Sequence, residues 1–194
     1  MKPSDTRQRL IDAMTDALQR RGLHGSGLSE LLAAAQAPKG VLYHHFPGGK
    51  TELAVAAVHA TTERLCAMLD QRMASGDPAV ALMLWIEGAQ KRLAASGYER
   101  GCPLATIALE TTAADIDIRA ALAAGFAAVR ERIAAALIRA GYQPKAAQAL
   151  AALLLAAYEG GLLQARAACS PEPMALVGQA LLTIVDLHRP KEQA

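Results

Sequence analysis

The segment from residue 37 to residue 50 concentrates side chains that can act on another molecule. Its sequence is Ala-Pro-Lys-Gly-Val-Leu-Tyr-His-His-Phe-Pro-Gly-Gly-Lys. Two lysines, two histidines and a tyrosine supply hydrogen-bond donors, and three glycines allow close approach of the backbone. On a short helix, such a mixture is suited to contacting phosphate oxygens and base edges of nucleic acid. A solvated basic corner is the plain alternative.

Other chemistries fit this segment poorly. His44 and His45 suggest a metal site, but neighbouring helix positions point about 100° apart. No Asp, Glu or Cys stands beside them at ligand spacing, so we predict no metal. Gly48-Gly49 is too short for a phosphate-binding loop, and no nucleophile–base–orienter set or carboxylate pair occurs at usable spacing. We therefore expect neither an enzyme nor a cofactor.

The elements around the segment have the spacing of a helix-turn-helix. An amphipathic helix over about 28–35 precedes it, with apolar residues at i, i+3, i+4 and i+7. Pro38 suits the first turn of a second short helix, over about 38–44. Two short helices joined by a three-residue break are typical of a DNA-reading unit. Leu42 and Phe46 would anchor the second helix, which leaves an outward-facing set of Lys39, Gly40, Tyr43 and His44, with Lys50 at the start of the next helix.

The composition predicts an all-α fold. Alanine, the best helix former, accounts for 44 of the 194 residues, and aromatic residues make up only 4%. Gly- and Pro-containing breaks divide the chain into nine helices. The first runs from about Pro3 to Gly22, and those after the second and third are expected near 50–74, 78–95, 103–113, 116–140, 144–168 and 172–188. We predict a DNA-binding domain over 1–49 and a larger domain over 50–194.

The distribution of charge and hydropathy indicates which partner the protein binds and in which compartment it works. Residues 1–50 carry seven Lys/Arg against four Asp/Glu, whereas residues 51–194 carry thirteen against fourteen. The excess of positive charge therefore lies in residues 1–50, which contain the candidate helix-turn-helix, as contact with phosphate requires. The longest apolar runs are ten residues, half of a membrane span, and the N-terminus lacks an apolar signal region. We expect a cytoplasmic protein with no membrane partner.

Residues 31–50, with a Lys-Gly-x-Leu-Tyr-x-His-Phe-Pro-x-x-Lys core, resemble the DNA-binding domain of TetR-type transcriptional regulators. Within this segment, Ala-Pro-Lys-Gly at 37–40 and His-His-Phe-Pro-Gly-Gly-Lys at 44–50 resemble sequences of the LmrA/YxaF-like branch. Gly-Cys-Pro-Leu-Ala at 101–105 is similar to another motif of that branch. The resemblance implies an all-helical homodimer that places two helix-turn-helix units on a palindromic operator. It also implies a C-terminal domain that binds a small-molecule effector, whose identity the sequence does not specify.

Carried onto this sequence, the resemblance assigns further residues to DNA. Ser26 occupies the position that caps the second helix and touches phosphate, and Lys39, Gly40, Tyr43, His44 and Lys50 match DNA-facing positions. Two residues depart from the family pattern. Gln36 replaces the usual turn glycine, where φ is often positive, and Val41 replaces a Ser or Thr. Val41 can instead pack on a thymine methyl group.

The two last helices are predicted to form the dimer. Small and apolar residues on them would build a four-helix bundle across a two-fold axis, unless they simply close the core of the monomer. The proposed interface comprises Leu150, Leu154, Ala157, Gly161, Leu181, Ile184 and Val185. A second apolar set lines either a ligand cavity or solid core: Met83, Trp85, Ile86, Cys102, Ile107, Phe126 and Tyr158.

Together these features predict a homodimeric repressor that a small apolar or amphipathic ligand releases from a palindromic operator. The ligand must bind the state that does not bind DNA more tightly, because equal affinity would shift nothing. An α-helical small-molecule carrier or scaffold, with an incidental basic corner, is the alternative.

Overall fold

The computed structural model describes residues 3–74 and 76–189, with side chains from residue 6 onward. Within these ranges the chain forms nine α-helices and no strand, as predicted. The helices are α1 (Pro3–Arg21), α2 (Leu28–Ala34), α3 (Lys39–His45), α4 (Gly49–Met73), α5 (Pro78–Ala95), α6 (Pro103–Ala108), α7 (Ile116–Arg139), α8 (Pro144–Ala168) and α9 (Glu172–Leu187).

Local sequence signals explain most helix boundaries. Pro78 begins α5, and the carboxylate of the preceding Asp77 accepts a hydrogen bond of 2.8 Å from the backbone N–H of Ala79. Pro144 likewise stands at the start of α8, without a side-chain cap from the preceding Gln143, and Cys169 ends this helix in a left-handed conformation with φ of 48°. These ends agree with the predicted ones to within a residue.

The predicted sixth helix is too long. It was expected over 103–113, but α6 ends at Ala108. The hydroxyl of Thr111 donates to the carbonyl of Ala108, and both the N–H and the hydroxyl of Thr112 bond the Asp115 carboxylate at 2.8 Å. These side chains offer the backbone alternatives to helical hydrogen bonds, which ends α6 and prepares the start of α7.

The chain packs as two compact units. Unit 1 contains the described residues up to Glu63 together with Gly101–Phe126, and unit 2 contains Arg64–Arg100 together with the residues from Ala127 on. In unit 1, α1 packs against α2, α3 and α6. These units divide the chain by packing, whereas the boundary after residue 49 divides it by expected function and stays a prediction.

In unit 2, α8 packs against α9 and α5. Trp85 and Tyr158 form the centre of this packing: their rings stack at 4.0 Å between centroids, and both residues are buried. Gly161 permits close approach of α8 and α9, since a Cβ there would lie 3.0 Å from Sδ of Met174 and 3.2 Å from Val177. Unit 2 therefore has a tightly packed helical core.

The predicted dimer residues mostly lie inside this core. Leu150, Leu154, Gly161, Leu181 and Val185 are buried within the single chain, and Ala157 and Ile184 are half-buried. Their assignment to a subunit interface is wrong for the five buried residues, because the apolar stripes of α8 and α9 face each other and α5. Small and apolar spacing identifies a packed helix face but not which helix covers it.

Helix α8 is also long and apolar enough to cross a membrane, the single such helix among the described residues. Length and composition alone are weak evidence for a span, because a core helix passes the same test. Residues on one side of α8 pack against α5 and α9. Its apolar character is thus accounted for in part by the core of unit 2.

Candidate nucleic-acid interface

Helix α3 presents a polar surface on a buried anchor. Leu42 and Phe46 are 0% and 1% exposed, so one face of α3 is fixed in the core of unit 1. The opposite face consists of exposed residues, namely Lys39, Gly40, Tyr43 and His44. The structure thus brings these four together as the sequence predicts, and their contact with DNA stays a prediction. Val41 is half-buried beside them.

The start of α4 shapes the far end of this surface. Gly49 has a φ of +68°, a conformation that favours glycine. A Cβ at Gly49 would lie 3.4 Å from Cε1 of Tyr43, so the Tyr43 ring packs beside the helix start. The carboxylate of Glu52 accepts a hydrogen bond of 2.7 Å from the N–H of Gly48. These contacts fix where Tyr43 stands relative to the N-terminus of α4.

Arg7, on α1, places a basic group next to α3, and the sequence alone does not predict this proximity. Its guanidinium lies 5.2 Å from the centroid of the Phe46 ring, and the side chain is exposed. This cation–π contact holds a positive charge next to the C-terminal end of α3. The pairing depends on the packing of α1 against α3, so no local sequence signal reveals it.

Lys50 has a hydrogen-bond partner within unit 1 that the sequence does not predict. Its ammonium group donates a hydrogen bond to the carbonyl of Leu23, inside unit 1, and the residue is half-buried. Burial lowers the pKa of Lys50, and the negative charge of Glu110 partly opposes that effect. In this structure Lys50 fastens α4 to the α1–α2 linker, and its contact with DNA stays a prediction.

Ser26 is likewise not the cap of α2. Gly27 occupies that position without a side-chain cap, whereas the hydroxyl of Ser26 donates to the carbonyl of Gly22 at 2.8 Å. Ser26 is 1% exposed. The predicted cap is wrong because the Ser26 hydroxyl closes the preceding linker instead, and its burial does not support the predicted phosphate contact.

Glu110 is the residue of this region that sequence reasoning missed. Its carboxylate accepts hydrogen bonds from the backbone N–H groups of Leu23 (2.8 Å) and His24 (2.9 Å). Gly22 has a φ of +73°, and any Cβ there would collide with the Glu110 carboxylate. Residues 87 positions apart thus tie the segment after α6 to the linker before the helix-turn-helix, a contact that only the fold creates.

Replacing Glu110 by Ala is expected to lower the free energy of unfolding by about 2 kcal/mol, because two N–H groups lose a charged acceptor. Urea denaturation followed by circular dichroism measures this change. Glu131→Ala is the matched control: Glu131 is exposed on α7, and its loss should alter stability by less than about 0.5 kcal/mol. Equal effects of the two substitutions would refute the structural role of Glu110.

The turn between α2 and α3 confirms the expectation of positive φ at Gln36. Its φ is 50°, in the left-handed region. The N–H of Gln36 bonds the carbonyl of Ala33 at 3.0 Å, and that of Ala37 bonds the carbonyl of Leu32 at 2.9 Å. This closure of α2 therefore imposes on a glutamine a conformation that glycine adopts at lower cost.

Gln36→Gly is expected to raise the free energy of unfolding by up to about 1 kcal/mol, because it relieves the left-handed strain. The midpoint of urea denaturation measures the gain. Gln36→Ala keeps a Cβ at this position and should give none. If glycine and alanine had the same effect, the strain would be refuted as the cause.

The predicted pocket residues separate between the units. Cys102, Ile107 and Phe126 belong to unit 1, whereas Trp85, Ile86 and Tyr158 are buried in unit 2. Met83 is 41% exposed on α5, so its assignment to an interior cavity is wrong. Met83 points away from the buried Trp85, which lies two positions further along α5. A ligand cavity lined by the remaining residues stays a prediction.

An all-helical fold in which the second helix of a helix-turn-helix exposes a polar face is typical of DNA-binding transcriptional regulators. Residues 10–57 match the family described as bacterial regulatory proteins of the tetR family, and residues 78–180 match the C-terminal domain described as transcriptional regulator LmrA/YxaF-like. The chain belongs to the TetR family of transcriptional regulators, in its LmrA/YxaF-like branch. It is not an enzyme.

Individual relatives agree with this assignment. The chain is 33% identical to the HTH-type transcriptional regulator LmrA of Bacillus subtilis over 113 residues, which are 58% of this chain and 60% of LmrA. It is 30% identical to the uncharacterized HTH-type transcriptional regulator Rv0196 of Mycobacterium tuberculosis over 190 residues, or 95% and 96% of the two chains. The crystal structure of regulatory protein TetR from Rhodobacter sphaeroides superposes with a TM-score of 0.82 at 28% identity, covering 91% and 96%.

Proposed function

We propose that this protein is a cytoplasmic, homodimeric repressor that a small molecule releases from a palindromic operator. The observation that carries the proposal is the exposed face of α3, formed by Lys39, Gly40, Tyr43 and His44, above the buried anchors Leu42 and Phe46. A helix held on one face with donors on the other can lie in the major groove.

On DNA, the exposed face of α3 has two tasks. The ammonium of Lys39 bonds phosphate or a guanine edge, and the phenol of Tyr43 and imidazole of His44 bond phosphate oxygens. Gly40 brings the backbone close, since no atom lies within 4 Å of the place where its Cβ would stand. Arg7 adds a further phosphate contact beside Phe46.

The exposed faces of α8 and α9 support dimerisation through residues other than those predicted from sequence. Leu163 and Leu176 are 56% and 59% exposed, and Leu153 is 43% exposed. On α8 the exposed stripe continues through small residues, namely Ala149, Ala152, Ala156 and Ala167. A second copy of the chain can cover this stripe isologously, which places two reading helices on two half-sites.

Glu110 offers a route by which the segment after α6 acts on the reader. Its carboxylate holds the N–H groups of Leu23 and His24, and Lys50 holds the carbonyl of Leu23 from α4. A ligand that displaces α6 or α4 would shift the linker that leads into α2. Such a ligand acts only if it binds the displaced state more tightly.

A gel-shift titration with DNA from upstream of the gene and its neighbours tests the proposal. A shifted complex that survives excess non-specific competitor is expected. A shift that competitor removes completely would contradict specific repression and favour the alternative of a helical carrier. Since non-specific binding depends strongly on salt, the titration is done at one fixed salt concentration.

A further inference from the structure

A groove of unit 1, the α6–α7 groove, is lined by the end of α6, the loop after it and the first half of α7. Its volume is about 470 Å³, within the range of pockets that hold small molecules. Most of its walls are apolar side chains, among them Ala108, Ile116, Leu122 and Phe126. Ile116 is 72% exposed, and Leu109, which directly follows α6, is 77% exposed. Large apolar side chains gathered around an open groove mark a surface that binds another molecule.

Arg119 is the one charged side chain among the described residues that line this groove, and it is exposed. One helical turn earlier, the carboxylate of Asp115 accepts hydrogen bonds of 2.8 Å from the N–H and the hydroxyl of Thr112. These two bonds, with smaller effects of the charges of His24 and Arg119, lower the pKa of Asp115. Asp117 lines a separate groove beside α4. Asp115 therefore interacts with Arg119 through charge, which leaves the guanidinium N–H groups to a ligand.

The loop after α6 connects this groove to the helix-turn-helix. Thr111 lines the groove, and its hydroxyl donates a hydrogen bond of 3.0 Å to the carbonyl of Ala108. Glu110, which lies between these two residues, holds the N–H groups of Leu23 and His24. A hydroxyl has one proton to donate, so Thr111 bonds either Ala108 or an acceptor in the groove. A ligand that takes the Thr111 hydroxyl therefore loosens the loop that carries Glu110.

We propose that the α6–α7 groove binds a free organic carboxylate with an apolar chain. The planar guanidinium of Arg119 matches the two oxygens of a carboxylate, and the chain leaves water against Ile116 and Phe126. A carboxylate that accepts from Thr111 favours the state in which the Glu110 loop is loosened, and an effector needs such a difference in affinity. The inference rests on the proposed function only in making this carboxylate the class of the effector.

Calorimetric titration of the full-length protein with octanoate tests the site. Acetate supplies the charge without the chain, and octanamide supplies the chain without the charge. We expect one octanoate per chain, and acetate and octanamide should each bind at least about tenfold more weakly, because each lacks one of the two contributions. Equal affinities for octanoate and octanamide, equal affinities for octanoate and acetate, or no saturable octanoate binding would overturn the proposal.

Substitutions locate the binding. Arg119→Gln should weaken octanoate binding at least about tenfold, because it removes hydrogen bonds to a charged group. Arg139→Gln, which removes the same charge from an exposed position in the last turn of α7, should leave it unchanged. Ala123 is exposed and lines the groove, so Ala123→Phe should block binding, whereas Ala124→Phe adds equal bulk at the next exposed position and should not. Unchanged affinity in Arg119→Gln or in Ala123→Phe would overturn the site.

A second copy of the chain is the alternative occupant of an exposed apolar groove. Because the proposed occupant is a small molecule, Ala123→Phe should leave the mass in solution unchanged when octanoate is absent. Light scattering measures this mass. A smaller mass in Ala123→Phe than in the unmodified chain would show that the groove is an interface between copies, and it would overturn the proposal.

DNA binding separates this inference from the proposed function. Saturating octanoate should weaken operator binding by the unmodified chain at least about tenfold, and it should not weaken binding by Arg119→Gln. Octanoate that binds without weakening DNA binding would overturn its role as effector. Octanoate binding in a chain that fails to bind DNA specifically would overturn the proposed function and support the site. Specific DNA binding without octanoate binding would overturn the site alone.

Discussion

The double substitution Lys39→Ala and Tyr43→Ala should reduce affinity for operator DNA at least about 100-fold. Each replaced side chain removes a hydrogen bond to a charged phosphate or to a base edge, and such bonds contribute about 1.5–3 kcal/mol. Loss of Lys39 should also lower the slope of log affinity against log salt by about 1 for each phosphate contact. Fluorescence anisotropy over a series of salt concentrations measures both quantities.

Fold integrity and charge are controlled separately. Lys39 and Tyr43 are exposed, so their removal should change the free energy of unfolding by no more than about 0.5 kcal/mol per site. Lys145→Ala removes an equal charge from an exposed position of α8 in unit 2 and should change DNA affinity less than twofold. If Lys145→Ala weakened DNA binding as much as the double substitution, α3 would not be the reading surface.

The double substitution Leu163→Arg and Leu176→Arg is expected to convert the proposed dimer into monomers. Both residues are more than half exposed on the single chain, so arginine is tolerated there in the folded protomer but not inside an isologous interface, where its charge meets its own copy. Operator affinity should fall at least about 100-fold, because the two half-sites are then bound independently. Light scattering gives the mass, and anisotropy gives the affinity.

Ile116→Arg controls for the loss of an exposed apolar residue. Ile116 is 72% exposed at the start of α7 in unit 1, and its substitution should leave both mass and operator affinity unchanged. A dimer that persists in the Leu163 and Leu176 variant would contradict the proposed interface. A dimer that also dissociates on Ile116→Arg would place the interface elsewhere.

Helix positions follow from the sequence because their signals are local. Pro78 and Pro144 mark helix starts by their own geometry, and glycine or a left-handed residue marks several ends. The prediction failed at α6, where the hydroxyl groups of Thr111 and Thr112 compete with helical hydrogen bonds. Threonine alone does not indicate whether a helix continues or ends. Here its effect depends on the Asp115 carboxylate, which bonds Thr112.

The exposed and buried faces of α3 were predictable for the same reason. The spacing of Leu42 and Phe46 sets which face is anchored, and hence that Lys39 and Tyr43 face outward. The hydrogen bond of Lys50 was not predictable, because its acceptor is the carbonyl group of a residue 27 positions earlier in the chain. The same limit applies to Glu110, whose partners at Leu23 and His24 are defined by packing.

The dimer residues illustrate the limit for helix faces. An apolar stripe must be covered, but Leu154 and Leu181 are covered within the chain, whereas Leu163 and Leu176 are exposed. Both sets have helical spacing, and α8 is apolar on nearly all sides. Periodicity therefore could not distinguish the intramolecular face from the face left for a second copy.

Selection of bound sequences from a random DNA library tests the central claim most directly. Two copies of α3 related by a two-fold axis should enrich an inverted repeat, with an affinity for the selected DNA at least about 1,000-fold above that for a scrambled sequence at physiological salt. An enriched pool without an inverted repeat, or one bound no more tightly than the scrambled sequence, would contradict the assignment of this protein as a dimeric operator-binding regulator.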